Sequence, residues 1–216
     1  CGYGTRPKSA YYSFCCDYRR SSLIFPIAIF PVIIIIAFMA GKNVLIFTTF
    51  SDNPQAYSLN RVVQNQLKML LSHGYSPKVI VGESFQASEI YADKRITLCK
   101  IPNVPVHNEV KKDETFEEDV EKLYFSLKDC IKDVDIVITH DIVYQPACLK
   151  HNLAARKIAS ELPNVKWLHW IHSATSPMTL ANLRPYFGDS YAQTVITPFP
   201  NSYYVFFNYY SVPIIA

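Results

Sequence analysis

Residues 44–50 read VLIFTTF, and the reading of this stretch decides the fold. Its first four residues are apolar without a break. A strand with one wet face would alternate polar and apolar side chains, whereas a strand buried on both faces of a parallel sheet does not. The neighbouring residues support a buried strand. Residues 51–57 form a polar loop, and then Leu59, Val62, Val63, Leu67, Leu70 and Leu71 recur at helical spacing. Ser58 is placed to cap that helix and Gly74 to close it.

The same alternation continues along the chain. KVIV at 78–81 and ITLCKI at 96–101 are the second and third expected strands. Thr115 and Glu118 make a capping box, opening a helix whose inner face carries Phe116, Val120, Leu123, Tyr124, Leu127 and Ile131. DIVIT at 135–139 is the fourth strand. A helix over 146–162 comes next, with Pro146 suited to its first turn. VKWLHWI at 165–171 and TVIT at 194–197 are the fifth and sixth strands. Strand and helix alternating with short connections imply right-handed βαβ units. The expected fold is therefore α/β, a Rossmann-like parallel sheet with helices on both faces. Residues 102–114, polar and proline-containing, are expected to be an exposed loop.

The chain of 216 residues is 50% hydrophobic and 18% charged, enough to pack a sizeable core. A net charge of +3 without a Lys/Arg run gives no ground for a nucleic-acid partner. The cysteines Cys1, Cys15, Cys16, Cys99, Cys130 and Cys148 form no C-x-x-C pair and match no zinc spacing. They read as small buried hydrophobes in a reducing compartment.

The first forty residues differ from the rest. Residues 23–40 carry no charge and reach the length of a membrane span, although Pro26 and Pro31 interrupt it. Arg6, Lys8, Arg19 and Arg20 precede it. No A-x-A cleavage site comes after it. The first methionine is Met39, shortly before the first strand. The expectation is that residues 1–38 lie upstream of the true start, that 39–216 is the folded domain, and that the protein is cytoplasmic. The alternative is a genuine single-pass anchor at 23–40, with membrane contact. Residues 209–216 are apolar, and more protein is expected beyond them.

In an open parallel sheet, ligands sit beyond the carboxyl ends of the strands. The residues expected there are Ser51 and Asn53 after the first strand, His140 and Asp141 after the fourth, His172 and Ser173 after the fifth, and Asn201 and Ser202 after the sixth. The first loop has no glycine, so a dinucleotide fingerprint is excluded. Neither a P-loop nor a G-x-S-x-G elbow occurs. A histidine at a strand end can bond a sugar hydroxyl or phosphate, or act as a base. His169, mid-strand between Trp167 and Trp170, reads as structural. No His pair sits at i, i+4, so no metal site is expected.

With these elements in place, residues 42–216 resemble the N-terminal domain of GT-B-fold glycosyltransferases of the retaining glycosyltransferase 4 type. Four segments carry the resemblance: KNVLIFTTF, the DIVITHD strand end, the WLHWIHS strand end, and TVITPFPNSYY. The resemblance implies that His172 matches the strand-five histidine that reaches the cleft and contacts the donor sugar, and that Asn201-Ser202 matches a Ser-containing loop. It implies a nucleotide-sugar donor, a carbohydrate or other glycosyl acceptor, and no further cofactor. Ser51-Asp52-Asn53-Pro54 stands where many members have Gly-Gly. The family's donor site and its pair of glutamates separated by seven residues belong to a C-terminal domain, so the chain by itself is expected not to transfer sugar. Two alternatives remain: a membrane-anchored half of this fold recruiting a catalytic partner subunit, and a non-enzymatic Rossmann-like binding module.

Overall fold

The computed structural model describes residues 41–51, 58–104, 114–172, 194 and 197–206. The charge-free stretch at 23–40 lies outside them. Among the described residues no helix is long and apolar enough to cross a membrane.

Six strands form one sheet: β1 (Val44–Phe47), β2 (Lys78–Gly82), β3 (Thr97–Ile101), β4 (Ile136–His140), β5 (Lys166–Ile171) and β6 (Ser202–Phe206). Their order is β3-β2-β1-β4-β5-β6, and every pairing is parallel. β1 and β4 are wholly buried, as their unbroken apolar sequences require, while the edge strands β3 and β6 are partly exposed. The expected α/β parallel sheet is therefore present.

Among the described residues, three α-helices connect the strands: α1 (Ser58–Ser72), α2 (Phe116–Ile131) and α3 (Leu149–Glu161). Side chains alternate along each strand, so each central strand serves two cores. Leu45, Phe47, Ile80, Val137 and Trp167 face α2 and α3, packing with Leu123, Leu127, Ala155 and Ile158. Ile136, Ile138 and His140 point the other way, where Gln66 of α1 meets His140. The helix ends obey local chemistry. Gly74 takes φ +82°, and Tyr75 N–H reaches Leu70 C=O at 3.0 Å while Gly74 N–H reaches Leu71 C=O at 3.2 Å. These bonds make the Schellman closure expected of a glycine at that position. Thr115 departs from the capping-box expectation: its hydroxyl donates to the Asp119 carboxylate at 3.1 Å and caps no backbone N–H. The 146–162 helix begins as a 3₁₀ turn, Pro146–Cys148, before α3.

The sixth strand is the main correction. It is Ser202–Phe206, not 194–197. Thr194 has helical backbone and Thr197 lies in a bend. Phe199 turns inward against the Trp167 ring, with centroids 5.0 Å apart, and β6 then pairs with β5 from Trp167↔Ser202 to Ile171↔Phe206.

Candidate functional site at the carboxyl edge of the sheet

The strand order reverses between β1 and β4, the place in such sheets where neighbouring connections diverge and leave a crevice beyond the carboxyl ends. β1 is followed there by Thr48, whose buried hydroxyl donates to Ile80 C=O at 2.7 Å. β4 ends on His140, and His172 comes directly after β5.

These two histidines meet. His140 Nδ1 lies 2.8 Å from His172 Nε2, and His140 Nε2 lies 2.9 Å from Gln66 Oε1. With the amide oxygen of Gln66 facing it, His140 carries its proton on Nε2 and accepts at Nδ1. His172 then donates from Nε2, which makes Nδ1 its basic nitrogen. Burial, with the neighbouring His172, drives the His140 pKa down to about 3. At neutral pH His140 is thus a neutral orienter and no proton donor of consequence. His172 is half-buried; burial lowers its pKa and the Asp141 carboxylate opposes the shift. It is neutral as well at pH 7, the state required of a general base or a hydrogen-bonding group on a sugar.

Asp141 holds the turn. Its φ is +57°, a left-handed conformation that aspartate tolerates better than most residues. Its backbone N–H reaches Trp170 C=O at 3.0 Å, and its Oδ1 accepts the His172 N–H at 2.6 Å. The carboxylate fixes the backbone on which His172 is mounted.

The remaining expected site residues do not join this group. Asn201 and Ser202 stand at the start of β6, because the strand begins at Ser202. They sit at the amino edge, Ser202 opposite Trp167, five residues and so roughly 16 Å along β5 from His172 at about 3.3 Å per residue. Asn201, at φ +51°, ties that edge together. Its Nδ2 donates to Pro163 C=O at 2.6 Å and Val165 C=O at 2.5 Å, and its Oδ1 accepts from Lys166 Nζ at 2.5 Å. Ser202 Oγ donates to Phe199 C=O at 2.9 Å. Ser51 sits over the ends of β2 and β3: Ser84 Oγ donates to its carbonyl, and the neighbouring Phe50 carbonyl accepts from Gly82 N–H at 2.7 Å. A Cβ on Gly82 would displace the Asn103 side chain and approach Ser51 Cα to 3.1 Å, so any larger residue there would push on the Ser51 backbone. Asn53 and Ser173 lie outside the described residues.

His169 lies fully buried in β5, 2.7 Å from Thr139 Oγ1 and edge-on to Phe199 at 4.4 Å. Sequence reasoning missed Gln66. Its signal is position: it falls between Val63 and Leu70 on the inner face of α1, where a polar side chain needs a buried partner. Among the described residues no group of three or more His, Cys, Asp or Glu side chains is placed to hold a metal ion. No family model and no curated protein matches this sequence.

Proposed function

We propose that residues 39–216 are the acceptor-side half of a glycosyltransferase that moves a sugar from a nucleotide-sugar donor to an acceptor, in a cytoplasmic protein. The observation carrying this reading is the bond chain Gln66–His140–His172, which ends at the carboxyl edge beside the strand-order reversal. A neutral, oriented imidazole at that edge suits hydrogen bonding to a sugar hydroxyl or proton removal from one. In this reading the donor-binding half is a further domain or a partner subunit, and residues 39–216 do not transfer sugar without it.

The test is steady-state turnover of the intact gene product with a panel of nucleotide sugars, for the natural protein and for His172→Ala. Expected is a fall in kcat of about 100-fold or more in the variant, the size ordinarily lost with an acid–base group. Equal turnover in a folded His172→Ala protein would remove His172 from the chemistry. A second reading is a non-enzymatic Rossmann-like binding module. It is favoured by the internal bonds that already satisfy both nitrogens of His140. It requires that no nucleotide sugar be consumed at all.

A further inference from the structure

Away from the carboxyl edge, two half-buried thiols meet between a helix and the edge strand. Cys99 lies on β3, and Cys130 in the last turn of α2; both pack against the core shared by α2 and α3. Cys99 is paired with Ile80 across β2–β3, and Lys78 lies two residues earlier on β2, on the same face of the sheet. From there the Lys78 ammonium donates to the Cys130 carbonyl at 3.4 Å, which places the end of α2 directly over this corner. The two thiols are within hydrogen-bonding reach of each other, with the Lys78 charge beside both.

We propose that Cys99 and Cys130 are a reversible dithiol–disulfide pair, in which Cys99 is the attacking thiolate and Cys130 the resolving thiol, with low-molecular-weight disulfides as oxidant. The two thiols need different properties for this, and they have them. The hydrogen bond from Cys130 and the Lys78 charge hold Cys99 down to about 7 against the opposing effect of burial. Cys130 is pushed up, first by its bond to Cys99 and then by burial. At neutral pH one sulfur is therefore about half thiolate while its neighbour keeps its proton, the arrangement that favours exchange. Cys99 attacks one sulfur of a small disulfide such as oxidised glutathione. A mixed disulfide forms and one glutathione thiolate leaves. Cys130 then loses its proton and attacks the Cys99 sulfur, releasing the second glutathione. The protein loses two protons and two electrons, and the reagent is reduced to two thiols. The product ties the end of α2 to β3. Cys148 has no part in this: burial, with Asp141 nearby, raises its thiol to about 12.

The test uses the full chain, reduced, desalted and then incubated with millimolar oxidised glutathione near pH 7.5 under native conditions. The protein is then alkylated, digested with trypsin and read by mass spectrometry. Expected is a cross-link between the peptides spanning 96–100 and 129–132, reversed by dithiothreitol, with Cys148 alkylated only after unfolding. In Cys130→Ser the resolving thiol is gone, so Cys99 should accumulate as the glutathione adduct. In Cys130→Ala, which removes the hydrogen-bond donor that a serine hydroxyl would replace, the pH at which Cys99 is half-reactive toward iodoacetamide should rise. Recovery of both cysteines as free thiols from the folded natural protein, or as separate glutathione adducts, would overturn the proposal. So would a half-reaction pH for Cys99 that does not move in Cys130→Ala.

Discussion

Asp141 shows how much of a site can depend on a residue that does no chemistry. It occupies a left-handed backbone conformation and spends a carboxylate oxygen on the His172 N–H at 2.6 Å. Asp141→Ala should lose a charge-assisted bond while keeping an unfavourable φ, at a cost of about 1–3 kcal/mol in urea unfolding. Asp141→Asn keeps the acceptor and should cost less. A denaturation midpoint unchanged in Asp141→Ala would show that this bond contributes nothing. His140 and His172 are legible in the sequence because histidine at the end of an apolar strand stands out against the residues before it. Gln66 is not legible, since nothing in a helix pattern says which inward polar residue will find a partner across the sheet.

Among the elements, α2 and α3 are pinned to each other through charge. Lys150 and Asp119 make an ion pair at 2.7 Å with side-chain exposures of 1% and 8%, and Thr115 donates to the same carboxylate oxygen. Removing one member strands a buried charge, so Asp119→Ala should cost about 3–5 kcal/mol. The double substitution Asp119→Leu with Lys150→Met should recover most of that, since an apolar pair needs no compensation. Chemical denaturation of the two variants decides it: an equally damaged double variant would mean that shape, not charge, governs the contact. The strand elements differ in how openly the sequence declares them. β1 and β4 are buried on both sides, so their composition alone identifies them. β6 is an edge strand, SYYVF, with Tyr203 half exposed, and TVIT at 194–197 has the stronger β composition. Pairing with β5 decides that element, and pairing is a long-range property that no local window contains. That displacement of the strand is also why Asn201 and Ser202 fall at the opposite edge from His172.

The domain as a whole buries more histidine than it can protonate. Burial, foremost, puts His140 and His169 at about 3 and His151 at about 4, against 6.5 for the free side chain. The unfolded chain takes up protons near pH 6.5, whereas the folded one does not until pH 4 to 3. Within that window the unfolded state binds more protons, so stability is full above about pH 6.5 and declines as the pH falls. Each group contributes roughly 1.4 kcal/mol per pH unit across its own window. Urea midpoints should therefore drop steadily between pH 6.5 and 4, and His140→Gln should make that slope shallower. A flat profile would mean that these side chains are hydrated in solution.

The same sheet carries the functional reading: a parallel order that reverses between β1 and β4, with an oriented imidazole at its carboxyl edge. The most direct test is release of nucleoside diphosphate by the intact gene product, screened across nucleotide sugars with and without a carbohydrate acceptor. Expected is acceptor-dependent release from at least one donor. Well-folded intact protein that neither binds nor consumes any nucleotide sugar would contradict the assignment to sugar transfer.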